Sequence, residues 1–357
     1  MINKNLWKNK KVLITGCTGF KGGWLSAWLC ELGADVYGYS LAAPTNPSIF
    51  ELLNLKQKIT YCEGDIRDYA KLSTFFDQVN PEIVLHLAAQ PLVRYSYENP
   101  IETYQTNVLG LVNVFEAIRH NGKIKAVVNV TSDKCYDNKE WVWGYRENEP
   151  MGGYDPYSNS KGCAELVTSC YQRSYFNINE YNNTHNTLLA SARAGNVVGG
   201  GDWAPDRLIP DMINSFINNS TVKIRNPQAI RPWQHVLEPL SGYLILAEHL
   251  YNGKTEFANG WNFGPNDTDV KNVGDIVNRL CAIWGNNAKW VLDQANHPHE
   301  ANFLKLDCSK ARLLLNWQPR FNLDQTLQYI VDWYKKYAKK EDLYQETIKQ
   351  IQEYMKE

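Results

Sequence analysis

The chain has 357 residues, enough to bury a large core as one large domain or two ordinary ones. Its 37 Lys and Arg residues balance 38 Asp and Glu residues, which argues against a dedicated nucleic-acid-binding protein, since such proteins usually carry a basic excess. A hydrophobic content of 44% with 12 tryptophans excludes a disordered or low-complexity chain.

The N-terminus and the cysteines predict a soluble, cytoplasmic protein. Residues 1–11 are polar and basic, without the apolar stretch of a secretion signal, and the longest apolar runs are strand-sized. The eight cysteines are scattered without close pairs or the Cys/His spacing of zinc sites. We therefore expect reduced thiols, no metal site and no membrane partner.

Short apolar strands alternate with helical stretches through the first half of the chain. Helices are predicted from the glycine-rich turn to about Leu32 and over 68–79, 100–120 and from about 156. The predicted strands are Lys11–Thr15, Asp35–Ser40, Ile59–Glu63, Glu82–Ala88, Lys125–Thr131 and Thr187–Arg193. This alternation is typical of right-handed βαβ units, so we predict an α/β fold with a doubly wound, parallel, Rossmann-type sheet.

The alternation stops after Asn196, where glycines and prolines separate short elements. A partly helical stretch follows from about Gly264. We predict a dinucleotide-binding domain over residues 1–200, with a return contribution from about 230–264. Residues 201–229 and 265–357 are expected to form a smaller, partly helical substrate-binding lobe.

Three glycines mark a candidate cofactor loop: Gly16, Gly19 and Gly22 follow the first strand and open a helix. Such glycines let the backbone approach a pyrophosphate at the helix N-terminus. A glycine trio alone is weak, because turns collect glycine for steric reasons. Its place between a strand and a helix favours a dinucleotide site, which would also include Phe20 and Lys21.

The ends of the second and third strands bear on the cofactor. Ser40 can hydrogen-bond a ribose hydroxyl, although it is also an ordinary strand-end serine, and no basic residue is near to meet a 2′-phosphate. This favours NAD over NADP. Asp65, followed by Ile66, could accept a hydrogen bond from the adenine amino group, or it could equally be a turn or N-cap residue.

Tyr157 and Lys161 form the one YxxxK pattern among the 21 tyrosines. Asp155 as N-cap and Pro156 at the first helical position predict a helix here, and a spacing of four places both side chains on one face. A lysine cation beside a phenol lowers the phenol's pKa from about 10 and makes it a usable base. Alone the pattern would be coincidence as often as catalysis, but the upstream glycine loop favours catalysis.

The strings TGCTGFKG at 15–22, HLAAQ at 86–90 and YSNSK at 157–161 resemble the extended branch of the short-chain dehydrogenase/reductase superfamily. The similarity runs from Lys11 to about Tyr334 and includes LDCSKARLLLNW at 306–317. The resemblance implies that Tyr157 takes a proton from a sugar hydroxyl while NAD receives the hydride, with His86 left as a strand residue. It also implies further NAD-binding residues, namely Leu87, Ala88, Ala89, Gln90 and Thr106.

The end of the fifth strand distinguishes branches of this superfamily. Sugar-nucleotide 4,6-dehydratases carry an Asp-Glu pair here, 4-epimerases lack the acid/base pair, and this chain has Asp133-Lys134. That departure resembles the cytidine-linked dehydratase branch, as do GNVVGGGDWAPDRLIPD at 195–211, RPWQHVLEPL at 231–240 and HPHEA at 297–301. Without these strings, Asp133 and Lys134 could be a solvated ion pair.

The branch resemblance implies a lyase acting on CDP-glucose. Oxidation at C4 acidifies the C5 proton, which Lys134 would remove, while Asp133 would protonate the departing C6 hydroxyl and the hydride would return to C6. Ser132 would hydrogen-bond the C4 hydroxyl. A lysine base must be neutral, and burial and neighbouring cations such as Lys161 could depress its pKa. Since the cofactor is regenerated, NAD is expected to stay bound.

A diphosphate substrate needs local cations. Arg207 and Arg231 are candidates because guanidinium binds phosphate bidentately, although a surface salt bridge is the ordinary role of each. Asn196 could donate to the same phosphates. Trp203 or Trp233 could form an apolar wall beside the cytosine.

Two other functions stay open: a 4,6-dehydratase or 4-epimerase for another nucleotide sugar, and a catalytically inactive NAD-binding interaction protein. The intact Ser132, Asp133, Lys134, Tyr157 and Lys161 set argues against the inactive protein. The helical segments at 100–120 and 157–175 resemble those that pair between subunits, which implies a homodimer or homotetramer. The branch also implies deoxysugar synthesis for lipopolysaccharide O-antigen.

Overall fold

The computed structural model describes residues 2–285, 288–294 and 303–356, so the HPHEA string at 297–301 lies outside the described residues. The strands, in chain order, are β1 (Lys11–Thr15), β2 (Asp35–Ser40), β3 (Thr60–Glu63), β4 (Ile83–His86), β5 (Ala126–Val130), β6 (Leu188–Ala194), β7 (Val197–Val198), β8 (Val222–Ile224), β9 (Ile230–Pro232), β10 (Gln234–His235), β11 (Gly260–Phe263), β12 (Val270–Asn272) and β13 (Trp290–Leu292).

Seven of the fourteen described α-helices begin after a residue whose side chain caps them. They are α1 (Lys4–Trp7), α2 (Phe20–Glu31), α3 (Ile49–Leu52), α4 (Tyr69–Val79), α5 (Val93–Glu98), α6 (Pro100–Tyr104), α7 (Gly110–Asn121), α8 (Pro156–Ser174), α9 (Leu208–Ile217), α10 (Leu237–Tyr251), α11 (Val273–Trp284), α12 (Ser309–Leu314), α13 (Leu323–Ala338) and α14 (Leu343–Tyr354). Asp155 accepts from Ser158 N at the start of α8, as predicted. The predicted helix over 100–120 is divided by a π-turn at Gln105–Leu109.

A seven-stranded parallel sheet forms the centre, in the order β11-β6-β5-β4-β1-β2-β3. The six predicted strands are all in it with small shifts at their ends, and β11 adds a strand beside β6. The order reverses between β1 and β4, which is where a doubly wound sheet opens a crevice at the carboxyl ends of its strands. The predicted α/β fold is therefore confirmed.

Helices cover both faces of the sheet. Neighbouring residues of a strand point to opposite faces, so alternate residues pack into different apolar clusters. Val12 and Ile14 belong to the larger apolar cluster, which includes residues of α2, α10 and α14, whereas Leu13 belongs to the cluster with residues of α4, α7 and α8. This two-sided burial explains the nearly continuous apolar strands of the sequence.

The remaining strands form three small pairs, β7 with β10, β9 with β12 and β8 with β13. Helices α9, α11 and α13 contact β8, β12 and β10, respectively. Helix α14 lies against α2, where the Tyr354 and Trp28 rings meet with centroids 5.6 Å apart. The predicted division into two lobes stays a prediction. In the described part of the chain, no helix combines the length and apolarity needed to cross a membrane.

Candidate active site

A cleft of about 1020 Å³ opens where the parallel strands end. Its walls come from the segments that follow β1 to β6 and from residues 205–211 and 223–231 of the smaller elements. In open α/β sheets this carboxyl edge is the usual ligand site. The fold therefore brings most of the predicted cofactor, catalytic and substrate residues to one place.

The glycine loop forms one end of the cleft. Gly16 has φ of +78°, and a Cβ there would lie 2.7 Å from the backbone nitrogen of Ala88. A Cβ on Gly22 would lie 2.1 Å from the carbonyl oxygen of Gly16. Side chains are thus excluded at both positions, and the N-terminus of α2 is left open beside Gly19, Phe20 and Lys21. This arrangement fits a dinucleotide pyrophosphate.

The predicted ribose and adenine residues also line the cleft. Ser40 Oγ lies 2.7 Å from Thr18 Oγ1, and the Asp65 carboxylate accepts hydrogen bonds from Arg67 N and Nε at 2.8 and 2.9 Å. Burial alone would raise the pKa of Asp65, but the bonds and charge of Arg67 lower it. Asp65 is thus an ionised, partly engaged acceptor, with Ile66 beside it.

In the HLAAQ segment, some residues line the cleft and others hold the loop in place. Leu87, Ala88 and Ala89 line the cleft together with Thr106. Gln90 does not line it, because its side chain donates to Thr103 Oγ1 at 2.9 Å and its backbone N–H donates to the Asn107 side chain. Gln90 therefore holds the loop in place, which differs from its predicted place in the cofactor site.

The strand histidine of the same segment stays in the sheet. His86 is buried, its Nδ1 lies 2.6 Å from Thr15 Oγ1, and burial lowers its pKa to about 3. This agrees with its interpretation as a strand residue.

The predicted catalytic residues meet on one wall. Ser132, Asp133 and Lys134 lie at the end of β5, where Asp133 begins a short 3₁₀ turn, and Tyr157 lines the same cleft from α8. Ser132 Oγ donates to Asp133 Oδ1 at 3.1 Å and accepts from Lys134 N at 3.2 Å. Lys161 lies behind this wall, with Nζ 3.5 Å from the Val130 carbonyl oxygen.

The pKa of the tyrosine differs from the predicted direction. Burial raises the pKa of Tyr157 to about 12, and only a hydrogen bond with Ser132 and the charge of Arg207 oppose it. Burial likewise lowers the pKa of Lys161 to about 8, against the charge of Glu165. The expected lowering of the phenol's pKa by Lys161 is therefore not found, because burial has the largest effect on the pKa of Tyr157 and the cation that opposes it is Arg207.

Asp133 and Lys134 stand side by side with different exposure. Asp133 is 3% exposed, and burial raises its pKa despite the charge of Lys134. Its Oδ2 has no hydrogen-bond partner among the described residues. Lys134 is half-buried and lines the cleft. This pair can supply an acid and an amine base, and the neutral state that the base needs stays a prediction.

A third lysine, Lys21, lies close to the wall that carries Lys134 and Lys161. Its Nζ lies 5.9 Å from the centre of the Tyr243 ring, and its side chain lines the cleft. Burial, followed by the charges of Lys161 and Arg207, lowers its pKa to about 7.

The predicted substrate residues line the same cleft, with one exception. Asn196, Arg207, Arg231 and Trp233 line the cleft. Trp203 packs instead against Tyr334 and Tyr337 of α13, with ring centres 5.1 and 4.7 Å away. Its neighbour Asp202 faces the cleft and pairs with Arg207 at 3.1 Å, so the next side chain points to the opposite side. The prediction that Trp203 lines the substrate pocket is corrected accordingly.

Sequence reasoning missed a group of ion pairs that also lines the cleft. Asp206 lies between Arg94 at 3.2 Å and Arg225 at 3.4 Å, and all three line the cleft. Burial raises the pKa of the nearby Asp211 to about 6. The isolated basic residue Arg225 in the string VKIRN could have been singled out from the sequence as a candidate site residue. Nothing in the sequence places Arg94 of α5 opposite Asp206.

Residues 13–330 match the profile of the GDP-mannose 4,6 dehydratase family. The chain belongs to this family. A curated relative in Salmonella typhimurium strain LT2, CDP-glucose 4,6-dehydratase, is 59% identical over 355 residues and covers 99% of both chains.

Solved structures agree with the fold of this GDP-mannose 4,6 dehydratase family member. A UDP-glucose 4-epimerase from Thermotoga maritima, determined with UDP-glucose, superposes with a TM-score of 0.79 at 22% identity, covering 91% of this chain and 99% of its own. A dTDP-glucose 4,6-dehydratase from Streptomyces venezuelae, determined with NAD, superposes with a TM-score of 0.77 at 21% identity, covering 93% and 99%. At these identities the likeness concerns the fold alone.

Proposed function

We propose that the chain is an NAD-dependent lyase that converts CDP-glucose to CDP-4-dehydro-6-deoxyglucose and water. The observation that carries the proposal is that an acid, an amine and a tyrosine, Asp133, Lys134 and Tyr157, share one wall of a cleft whose other end is shaped for a dinucleotide. The 59% identity to the Salmonella CDP-glucose 4,6-dehydratase supports the cytidine nucleotide.

The first step is oxidation at C4. Tyr157 takes the proton of the C4 hydroxyl, the Ser132 side chain lowers the pKa of this phenol, and Lys161 follows one helical turn later on α8. When bound, NAD supplies the hydride acceptor for C4 and the hydride donor for C6, so it ends each turnover unchanged. The glycine loop would hold its pyrophosphate, and Ser40 and Asp65, which line the same cleft, would hydrogen-bond its ribose and adenine.

The second step is elimination of water. A carbonyl at C4 acidifies the C5 proton, which Lys134 removes and later returns. Asp133 gives a proton to the C6 hydroxyl as it leaves. Burial raises the pKa of Asp133, which makes this carboxyl able to hold a proton until that step.

The arginines bind the substrate's diphosphate. Arg207 and Arg231 face the cleft with Asn196, and Trp233 forms an apolar wall nearby. Guanidinium groups suit phosphate because their donors match its geometry. A chain with an overall formal charge of -1 thus offers local cations at this end of the cleft.

The decisive experiment incubates the protein and NAD with CDP-, dTDP-, GDP- and UDP-linked hexoses and measures water loss by mass spectrometry, with Tyr157→Phe as control. Water loss from the CDP sugar, at least about 10-fold faster than from the others, is expected. Preference for another nucleotide would reassign the substrate, and a hexose epimer would indicate a 4-epimerase. Absence of any turnover would leave an NAD-binding interaction protein.

The cellular setting is part of the proposal. All eight cysteines are free, as suits the cytoplasm, and the product would feed deoxysugar synthesis for lipopolysaccharide O-antigen. Ile101, Leu109 and Leu166, near or on α6 to α8, are 73%, 60% and 61% exposed, which supports a homodimer or homotetramer that covers them. Size measurement by light scattering tests this assembly.

A further inference from the structure

Two arginines from separate segments of the cleft wall share one carboxylate oxygen. Arg94 Nη1 lies 3.2 Å and Arg225 Nη1 lies 3.4 Å from Asp206 Oδ1. Arg94 belongs to α5, Asp206 precedes α9, and Arg225 follows β8. All three side chains line the cleft. The ion pairs therefore join three segments of the wall that are distant in sequence.

The arginines already assigned to the substrate do not supply the full countercharge of a diphosphate, which carries a negative charge on each phosphate. Arg207 is neutralised, because its Nη1 lies 3.1 Å from Asp202 Oδ2. Asp202 is 5% exposed, and its other oxygen accepts from Ala204 N at 3.1 Å. A carboxylate that is buried and engaged through both oxygens stays with its arginine. The diphosphate therefore needs cations besides Arg207 and Arg231.

Asp206 is held more loosely than Asp202. Its side chain is 47% exposed, and its one hydrogen bond in the described part of the chain comes from Arg94. Partly exposed ion pairs are weak, because water screens both charges. Arg225 Nη1 is buried and makes no hydrogen bond with a described residue, so it keeps a donor for a ligand. Asp211 does not use this donor, since its Oδ2 lies 3.7 Å from Arg225 Nη2.

We propose that Asp206 is an exchangeable counter-ion, which holds Arg94 and Arg225 together before the substrate binds and then releases both arginines to the substrate's diphosphate. Without a carboxylate, two guanidinium groups that converge on one position would repel each other. A diphosphate offers them several oxygens in place of one, in a geometry that suits the paired donors of guanidinium. The exchange rests on the proposed function, because that function supplies the diphosphate.

Calorimetric titration of the NAD holoenzyme with CDP tests the exchange in Asp206→Asn. Residue 206 has φ of +60°, and asparagine adopts this left-handed backbone readily, so the variant removes the charge at little cost to the backbone. CDP should bind about 3- to 5-fold more tightly, as expected when weak ion pairs no longer compete. Asp206→Glu keeps the charge and should bind CDP no more tightly than the wild type. Equal or weaker binding by Asp206→Asn, or tighter binding by Asp206→Glu, overturns the exchange.

The two arginines distinguish an exchange from a general effect of charge. Arg94→Gln and Arg225→Gln should each weaken CDP binding about 10-fold, and wild-type affinity in both would contradict the proposal. When both substitutions are present, adding Asp206→Asn should no longer tighten CDP binding, because it frees no guanidinium. Tightening that persists would show that Asp206 repels the ligand from a distance, and the exchange would be overturned.

A matched control comes from an ion pair elsewhere on the molecule. Asp324 of α13 pairs with Arg279 of α11, and neither residue lines the cleft. Asp324→Asn removes one negative charge, as Asp206→Asn does, and should leave the CDP affinity unchanged. An equal gain of affinity in both variants would show that the overall charge is responsible, and the exchange would be wrong.

Smaller probes show which part of the ligand the arginines bind. Asp206→Asn should bind inorganic pyrophosphate more tightly than the wild type, and its affinity for cytidine, which has no phosphate, should be unchanged. Equal tightening for cytidine contradicts the exchange. If the wild type dehydrates CDP-glucose and Asp206→Asn gains no affinity for CDP, the exchange alone is refuted. If CDP binding follows the expected pattern and no nucleotide sugar is turned over, the proposed function alone is refuted.

Discussion

Gly195 packs so closely against the Asp133 carboxyl that a side chain at residue 195 would not fit without a shift. A Cβ at this position would lie 3.0 Å from Asp133 Oδ2 and 2.7 Å from Pro232 Cγ. The oxygen concerned is the one without a hydrogen-bond partner in the described part of the chain. Directly after β6, Gly195 thus leaves space that a larger residue would take from Pro232 and the proposed acid.

Gly195→Ala should displace Asp133 and lower the dehydration rate more than about 10-fold, with an unfolding free energy reduced by about 1–3 kcal/mol from overpacking. Steady-state assays and urea unfolding measure the two effects. Gly122→Ala is the control, since Gly122 has φ of +67° and no atom within 4 Å of a new Cβ, so it should lose stability only. Equal rates in Gly195→Ala and the wild type would refute the positioning.

The buried pair Glu165–Arg193 should carry much of the stability beneath the site. Glu165 accepts from Arg193 Nε and Nη2 at 2.9 and 2.8 Å and from Ser191 at 2.7 Å. Glu165→Ala leaves a buried guanidinium unpaired and should cost about 3–5 kcal/mol in urea unfolding. Arg119→Ala breaks a more exposed pair with Glu116 and should cost less than about 1 kcal/mol. Similar costs in both variants would contradict this account.

Glu238 is buried beside helix α14, and its carboxyl makes the stability of the fold depend on pH. Burial raises its pKa to about 7, while its oxygens accept from Phe321 N and Tyr354 Oη at 2.8 and 2.6 Å. The folded state therefore binds a proton that the unfolded chain releases near pH 4.3, and up to about 3 kcal/mol of stability, full below that pH, is lost as the pH rises through about 7.

Glu238→Gln is neutral at every pH and should flatten this part of the stability curve. Urea unfolding at about pH 5 and about pH 8 measures the difference for the wild type and the variant. An equal pH dependence in both proteins would show that the carboxyl of Glu238 is not the titrating group.

Lys134 is expected to exchange the C5 proton. In deuterium oxide, Lys134→Ala should lose solvent exchange at C5 of the 4-keto sugar, with dehydration slowed about 100-fold or more, because Lys134 follows Asp133 directly and lines the same cleft. Lys271→Ala, with its lysine on β12, serves as a control at which exchange should persist. Full wild-type exchange in Lys134→Ala would remove the base role.

Local patterns in the sequence determine much of this fold. Apolar runs such as those around Val12 and Val127 predict buried parallel strands, and the Asp155-Pro156 start fixes α8 and so the position of Tyr157. Strand ends in a doubly wound sheet share one edge, which is why Ser40, Asp65 and Asp133 could be grouped from the sequence alone.

Long-range packing explains the features that were missed. Whether Trp203 faces the cleft or α13 depends on the turn of the glycine stretch before it, and the pairing of Arg94 with Asp206 depends on how two distant segments meet. The pKa of Tyr157 depends on the depth of burial, which a spacing of four between Tyr157 and Lys161 does not report.

The central claim is an oxidation at C4 followed by loss of the C6 hydroxyl within one active site. The most direct test incubates the protein and NAD with CDP-glucose deuterated at C4 and analyses the product by NMR and mass spectrometry. The account predicts a CDP-4-keto-6-deoxy sugar, formed with loss of one water and with the deuterium transferred to the C6 methyl group. Unchanged substrate, or a hexose epimer that keeps deuterium at C4 and oxygen at C6, would contradict it.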